Sequence, residues 1–227
     1  MIKNNQNPQR VRQRKTKRKR SNEIQQLHPC GGSGESYAQT TKYNSLSDSK
    51  GFITIFPSTK KDTNCWEVNT SRTLTHEGGG DSQGLASMIK YTLTKYGADP
   101  GRVFSTGSSS GCMMTNVMMA TYPDLISAAS CYSGVAAGCL AGSPGASPIS
   151  ADPTCANGQN NKTPAEWAAQ VKAMYPGYTG GYPRLATWHG TADSLVRYPN
   201  LGEQLKDRKS TRLNSSHSGE SRMPSSA

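Results

Sequence analysis

Short runs of β-branched and aromatic residues alternate with longer segments of helical periodicity along the middle of the chain. Such runs are typical of strands when proline, glycine or polar residues close them. Four runs fit this description, at residues 51–57, 102–106, 126–133 and 184–188, and the first of them predicts a buried strand. Strands that alternate with helices predict a mostly parallel sheet covered on both faces, and hence an α/β fold.

Three segments between these runs are predicted to be helices. In residues 81–96 apolar side chains recur every three or four positions, and Gly97 is placed to end the helix. Residues 111–122 also have a helical pattern, and we assign their methionine cluster to the core. Thr163 and Glu166 form the pattern of a capping box, which predicts the start of a third helix.

The positive charge of the chain is concentrated at its two ends. The formal net charge is +11, from 26 lysines and arginines against 15 acids. Residues 1–22 hold nine of the cations and no acid, whereas residues 24–206 hold 13 cations and 12 acids. A globular domain that binds nucleic acid carries its basic residues on the folded surface, so the near-neutral middle excludes that class. Residues 1–23 are basic and aperiodic, and we expect them to be disordered and non-native.

Six cysteines, all within residues 24–206, favour an oxidising compartment. None has the C-x-x-C spacing of a zinc or dithiol site, so we expect no metal and no cofactor. The sequence has no run of 18 apolar residues, which argues against a membrane span. The middle of the chain therefore predicts a secreted protein, although its basic start lacks the apolar segment of a signal peptide.

The segment GSSSG, residues 107–111, matches the pattern G-x-S-x-G between a predicted strand and a predicted helix. In that context the pattern indicates a nucleophile elbow, a sharp turn that holds Ser109 in a strained and exposed position. The amide of Ser110 faces the same space and can stabilise a developing oxyanion. The alternative interpretation is a plain glycine-rich turn.

In such an arrangement the acid and the base follow the serine along the chain. Asp193 lies just past a predicted strand end and is our candidate for the acid. His189 shares a tight loop with Asp193, so the two cannot both face the serine, and we assign His189 a structural role. The remaining histidines are His28, His76 and His217.

Residues 27–206 contain eight motifs that are specific when taken together. They are HPCGGSG, the Cys65-Trp66 pair, GGGDSQG, GSSSGCMMTNV, ATYPDL, YSGVAAGC, YPGYTG and HGTAD. In these motifs the chain resembles the secreted acetylxylan and feruloyl esterases of the first carbohydrate-esterase family, which are related to polyhydroxybutyrate-depolymerase-type esterases.

The resemblance implies an α/β-hydrolase fold, with Ser109 as the nucleophile and Asp193 as the acid of the triad. It also implies that the backbone amides of Cys30 and Ser110 form the oxyanion hole. The family acts on acetyl or feruloyl esters that decorate xylan. We therefore expect a polysaccharide ester as substrate, no nucleic-acid or membrane partner, and a secreted monomer.

The chain departs from the family at both ends. The family has a hydrophobic strand before the HPC loop, with further strands and a signal peptide ahead of it, whereas this chain has NEIQQL after the basic tract. At the other end, members of the family continue to a final helix that carries the catalytic histidine. In this chain, residues 207–227 instead resemble the conceptual translation of a sequencing adapter. We expect an incomplete α/β-hydrolase domain at residues 24–206, with an unpacked, artefactual tail at 207–227 whose His217 is not the base.

All six cysteines are expected to form disulfides within the domain. One pair pins the long Gly/Ser-rich loop of residues 134–163, since a loop of that length in a compact domain is normally functional or pinned. A second ties the loop that contains Cys30 to the loop after the predicted strand of residues 51–57. A third joins the helix that follows GSSSG to the next predicted strand. The expected pairs are Cys139–Cys155, Cys30–Cys65 and Cys112–Cys131. The alternative is that the cysteines are buried free thiols, above all Cys112 and Cys131.

Three classes of function compete. The first is a serine esterase, which as this chain is written we expect to be inactive because it lacks the catalytic histidine. The second is a non-catalytic carbohydrate-binding module or pseudoenzyme, which has no need of a strained serine. The third is a basic nucleic-acid-binding protein, which rests on residues 1–22 alone.

Overall fold

The computed structural model of the protein describes residues 21–212, which contain a five-stranded sheet. All four strand pairs are parallel, in the order β2-β1-β3-β4-β5. The predicted α/β class and parallel sheet are therefore confirmed. The strands are β1 (Glu23–Leu27), β2 (Ile53–Ile55), β3 (Val103–Ser108), β4 (Ala128–Tyr132) and β5 (Arg184–Trp188).

The helices of the described residues include all three that the sequence predicts. The predicted glycine cap and capping box are both present, at Gly97 and at Thr163. Three longer helices and one single turn were not predicted. The helices are α1 (Gly34–Thr40), α2 (Tyr43–Lys50), α3 (Gly80–Tyr96), α4 (Ser110–Thr121), α5 (Pro153–Ala156), α6 (Pro164–Met174) and α7 (Pro199–Arg212).

Helix α4 forms the centre of the core, and every one of its residues is buried. It packs against β1, β3 and β4 on one side and against α3 and α6 on the other. The methionines of α4 are core residues, as predicted, and burying each such side chain stabilises the fold by about 1.5–3 kcal/mol. They are Met113, Met114, Met118 and Met119.

The two strands on one side of β3 differ from their sequence signatures. The run of residues 51–57 was predicted as a buried strand, but β2 lies at the edge of the sheet and its three residues are partly exposed. The central position next to β3 belongs instead to β1, whose sequence is EIQQL. Backbone pairing with β2 and β3 on both sides holds this polar segment in the sheet.

Buried polar groups accompany β1. The Glu23 side chain is fully buried, and within the described residues neither of its carboxylate oxygens has a hydrogen-bond partner. Burial raises the pKa of Glu23 from its ordinary 4.5 to about 7. Gln25 is also fully buried, and its amide nitrogen donates to the Leu85 carbonyl at 3.2 Å.

Both predicted domain boundaries fall inside secondary structure. The boundary before residue 24 cuts β1, and the boundary after Lys206 cuts α7. Asp207 and Thr211 are buried, and Asp207 accepts a hydrogen bond from the Ala137 amide at 3.3 Å. The expectation of an unpacked tail is therefore wrong as far as Arg212, because buried residues recur at helical spacing on both sides of the boundary after Lys206. Residues 1–20 and 213–227 lie outside the described part of the chain.

The three expected disulfides are all present. Their Cα atoms are separated by 4.3 Å in Cys30–Cys65, 4.8 Å in Cys112–Cys131 and 5.8 Å in Cys139–Cys155. The last pair closes the long loop between β4 and α6, in which the single turn α5 contains Cys155. Among the helices of residues 21–212, none combines the length and the apolar character needed to cross a membrane.

The buried carboxyl of Glu23 predicts a stability that falls as the pH rises. Because the pKa of Glu23 is higher in the folded state than in the unfolded state, the penalty is absent below pH 4.5, grows up to about pH 7 and is complete above it. Glu23→Gln is therefore expected to raise the free energy of unfolding at pH 8 by up to ~3 kcal/mol and to leave it unchanged at pH 4. Urea unfolding at both pH values measures this difference.

The control is Glu35→Gln, which changes an exposed glutamate in the first turn of α1. It should have no comparable effect at either pH. An equal effect of Glu23→Gln at pH 4 and pH 8 would contradict the assignment of the penalty to a charged carboxylate.

Candidate active site

Ser109 occupies a sharp turn between the end of β3 and the start of α4. Its backbone has φ 53° and ψ −121°, a conformation that residues other than glycine rarely adopt. Two hydrogen bonds hold it there: the Ser109 amide donates to the Tyr132 carbonyl at 2.8 Å, and the Ser109 carbonyl accepts from the Met113 amide at 3.0 Å. A sharp and strained turn is therefore present at the predicted position, and a plain glycine-rich turn does not require such strain.

The two glycines of the GSSSG segment are required by close backbone packing. A Cβ atom on Gly107 would collide with the backbone of Gly111, on the opposite side of the turn. A Cβ atom on Gly111 would collide with the carbonyl of Leu27, at the end of β1. The turn therefore brings the start of α4 directly against the loop that follows β1.

Two backbone amides lie at this junction without an acceptor among residues 21–212. The Ser110 amide belongs to the first turn of α4, where amides have no acceptor within the helix, and the helix dipole there favours negative charge. The Cys30 amide lies in the loop after β1. The next two amides of that loop are used, since Gly31 donates to the Thr63 carbonyl and Gly32 to the Pro29 carbonyl.

Asp193 lies in the loop that follows β5, two strands away from Ser109 in the sheet. Its Oδ1 atom accepts hydrogen bonds from the Leu195 and Val196 amides, at 3.1 and 2.9 Å. Burial alone would raise the pKa of Asp193, but hydrogen bonds from Val196, the Ser133 side chain and Leu195 outweigh it and lower the pKa. The carboxylate is therefore charged at neutral pH and can orient a cationic or hydrogen-bond-donating partner.

Ser133 connects the serine turn to the acid loop. It follows β4, the strand between β3 and β5, and has a left-handed backbone with φ 52°. Its amide donates to the Trp188 carbonyl at 2.9 Å, and its side chain contributes to the lowered pKa of Asp193. The sequence analysis missed Ser133, and the only signal for it is its place in the YSGVAAGC motif.

Two of the three described histidines are held by hydrogen bonds to backbone groups. His28 is fully buried; its Nδ1 atom donates to the Pro29 carbonyl at 2.8 Å, and its Nε2 atom accepts from the Thr59 amide at 3.3 Å. Burial lowers the pKa of His28 despite the bond to Pro29, so the ring is neutral. His76 bonds the Thr121 carbonyl at 2.6 Å and stacks on Tyr175 at a ring separation of 3.6 Å.

The third, His189, lies inside its own loop. Its side chain is fully buried, and Nε2 donates to the Val196 carbonyl at 2.6 Å. The same nitrogen is 3.7 Å from the Asp193 carboxylate. Among residues 21–212 no side chain hydrogen-bonds the Ser109 hydroxyl, and none of these residues forms a cluster of His, Cys, Asp or Glu suited to a metal. His217 lies outside the described residues.

The chain is similar in sequence to known esterases. The family profile of the esterase PHB depolymerases matches residues 16–219. Feruloyl esterase B of Talaromyces stipitatus is 49% identical over 179 residues, which cover 79% of this chain and 50% of that protein. Acetylxylan esterase A of Aspergillus awamori is 46% identical over 181 residues, which cover 79% and 59%.

The same fold is found in a solved structure. The acetyl xylan esterase from Aspergillus awamori superimposes with a TM-score of 0.79 at 43% identity, over 85% of this chain and 70% of that one. The α/β-hydrolase fold expected from the sequence is thereby confirmed. The chain spans about half to three-fifths of the length of the two curated relatives described above.

The close contact at Gly111 predicts a large loss of stability on adding one methyl group. Gly111→Ala would push Cβ into the Leu27 carbonyl, a backbone atom that cannot rotate away, and should lower the free energy of unfolding by about 1–3 kcal/mol or more. Gly84→Ala in α3 is the matched control, since its Cβ meets open space and alanine favours a helix by up to ~1 kcal/mol. Urea unfolding of the two variants should give changes of opposite sign; equal changes would contradict the described packing.

Proposed function

The chain belongs to the family of the esterase PHB depolymerases, and from that premise we propose that the protein is a serine esterase with Ser109 as its nucleophile. The observation that carries the proposal is the strained backbone of Ser109 at the start of α4. Such strain persists only when the surrounding structure enforces it, and it concentrates at functional sites. A non-catalytic carbohydrate-binding module has no use for it.

The proposed reaction begins with attack of the Ser109 hydroxyl oxygen on the ester carbonyl carbon, while a base accepts the hydroxyl proton. The carbonyl oxygen becomes an oxyanion, for which the amides of Cys30 and Ser110 are the available donors. Collapse of this intermediate breaks the bond to the alcohol and leaves an acyl-serine. Water then attacks the acyl carbon and releases the acid.

Asp193 is the proposed acid of the triad. Its carboxylate is held by amides of its own loop and is charged at neutral pH, as an acid that orients an imidazole must be. We assign no base among residues 21–212, because His28, His76 and His189 each bond a backbone carbonyl and none hydrogen-bonds the serine. The described residues thus supply the nucleophile, the acid and the oxyanion donors.

The proposed substrates are acetyl or feruloyl esters on xylan-type polysaccharide. The supporting observation is that the relatives include both feruloyl esterases and acetylxylan esterases at similar identity. We also propose that the protein is secreted, since three disulfides persist only in an oxidising compartment and a cell-wall polysaccharide lies outside the cell.

Acylation of Ser109 tests this proposal. With no assigned base both steps are slow, but 4-nitrophenolate leaves far more readily than the serine alkoxide that deacylation must expel. The full chain incubated with 4-nitrophenyl acetate or 4-nitrophenyl ferulate should therefore accumulate acyl-Ser109. Peptide mass spectrometry measures the acylation of Ser109 against that of Ser108 and Ser133, which are also near the surface of the site. Selective modification of Ser109 is expected; uniform modification of the three serines would contradict the proposal.

Turnover should be weak in the same experiment. No base is assigned among residues 21–212, and a triad that works without its histidine is slower by a factor on the order of 10⁶. Oxyanion donors and binding alone leave ~10³–10⁴ over water. If turnover is instead rapid, the chain contains a base, and His189→Ala and His217→Ala identify which histidine it is.

A further inference from the structure

We propose that the side chain of Ser110 is a positioning residue that fixes the two oxyanion donors relative to each other. The inference rests on the proposed function and extends it, since Ser110 otherwise contributes only its backbone amide. The two donors belong to different parts of the chain, Cys30 to the loop after β1 and Ser110 to helix α4. Their separation is therefore set by whatever connects that loop to that helix.

The connection is a buried hydrogen bond. The Ser110 side chain is 1% exposed, and its hydroxyl oxygen accepts from the Trp66 amide at 2.8 Å. Trp66 belongs to neither element: it lies in the long segment between β2 and α3. One residue of α4 thus offers its amide to the oxyanion site and its hydroxyl to a second loop.

Trp66 in turn is attached to the loop that contains Cys30. Its indole nitrogen donates to the His28 carbonyl at 2.9 Å, and its ring lies 4.9 Å from the His28 ring. The preceding residue, Cys65, forms the disulfide with Cys30. The Ser110 hydroxyl therefore reaches the oxyanion loop through Trp66, by one covalent route and one hydrogen-bonded route.

Further bonds make the two loops a single unit. The Gly31 amide donates to the Thr63 carbonyl at 2.9 Å, and the Asn64 side chain donates to the Gly32 carbonyl at 3.1 Å. Thr63 and Asn64 have left-handed backbones, with φ 58° and 59°, which cross-loop contacts of this kind hold in place. We define the oxyanion clamp as residues 28–32 together with residues 63–66.

The bond from Trp66 to Ser110 is the one hydrogen bond between the oxyanion clamp and α4 in the described part of the chain. The clamp also lies close to α4 at its edge, where Gly111 packs against the backbone carbonyls of Leu27 and His28. Packing sets the distance between the clamp and α4, whereas a directional hydrogen bond prevents them from sliding past each other. Without the hydroxyl, the Trp66 amide is buried without an acceptor, and the clamp shifts to satisfy it.

Such a shift has a kinetic signature that a purely structural role lacks. The oxyanion exists only after attack on the carbonyl, so misplaced donors lower the maximal rate and leave substrate binding unchanged. A displacement of about 1 Å costs up to ~100-fold in rate. A serine that only stabilises the fold would lower the melting temperature and leave the rate of the folded enzyme alone.

The experiment compares Ser110→Ala with Ser82→Ala in the full chain. Ser82 is the matched control: it is fully buried in α3, its hydroxyl donates to the Thr73 carbonyl at 2.7 Å, and it takes no part in the site. The rate of Ser109 acylation by 4-nitrophenyl acetate is measured against ester concentration, and the melting temperature is measured in parallel.

Ser110→Ala is expected to lower the maximal acylation rate by ~10–100-fold and to change the half-saturating ester concentration less than twofold. Ser82→Ala is expected to lower the melting temperature to a similar degree while the acylation rate changes less than twofold. Equal acylation rates in the two variants, or a Ser110→Ala effect confined to the half-saturating concentration, would overturn the inference. If Ser109 of the unaltered chain is not acylated, the proposed function fails and the inference fails with it.

A second variant covers the case in which Ser110→Ala does not fold. Trp66→Phe retains an aromatic ring but removes the indole bond to the His28 carbonyl, at the other end of the same connection. It should likewise lower the maximal acylation rate at an unchanged half-saturating concentration. An unchanged maximal rate in folded Trp66→Phe would overturn the inference.

Discussion

At Ser109 the chain passes from β3 into α4 through a backbone conformation that side chains other than glycine rarely adopt. The surroundings enforce that conformation. Gly107 and Gly111 permit the turn to close, and the carbonyl of Tyr132 holds the serine amide. The turn also brings Gly111, in the first turn of α4, against the end of β1. The loop that contains Cys30 begins at this contact, directly after Leu27.

The core tolerates an unusual amount of buried polarity around this turn. Strand β1 carries Glu23, Gln25 and Gln26 in the middle of the sheet, and α7 inserts Gln204 between α4 and β5. The Gln204 side chain accepts from Asn116 at 3.0 Å and donates to the Gly134 carbonyl at 2.9 Å. A satisfied amide of this kind specifies one packing of the helix. The carboxylate of Glu23 has no hydrogen-bond partner within residues 21–212 and costs stability when it is charged.

An element can be predicted from the sequence when the interactions that determine it are made by residues close together along the chain. Strand β5, the caps of α3 and α6, and the sharp turn within GSSSG are encoded by neighbouring residues, and all are present where the sequence predicts them. Strand β1 was missed because EIQQL has no strand signature, and only pairing on both sides makes it one. Helix α7 was missed because its buried face is polar. The side chains of that face find hydrogen-bond partners only in distant parts of the chain, such as Asn116. The contacts of Trp66 could not be predicted for the same reason, since its hydrogen-bond partners His28 and Ser110 are 38 and 44 residues away along the chain.

The central claim is that the turn at Ser109 and the oxyanion clamp form one preorganised anion site. A crystal structure of the full chain with an arylboronic acid bound to Ser109 tests it most directly, because the tetrahedral boronate imitates the intermediate of ester hydrolysis. The account predicts one boronate oxygen at ~2.7–3.1 Å from both the Cys30 and the Ser110 amide nitrogens, with the clamp unmoved. A boronate oxygen that points to solvent, or that reaches one amide only, would contradict it.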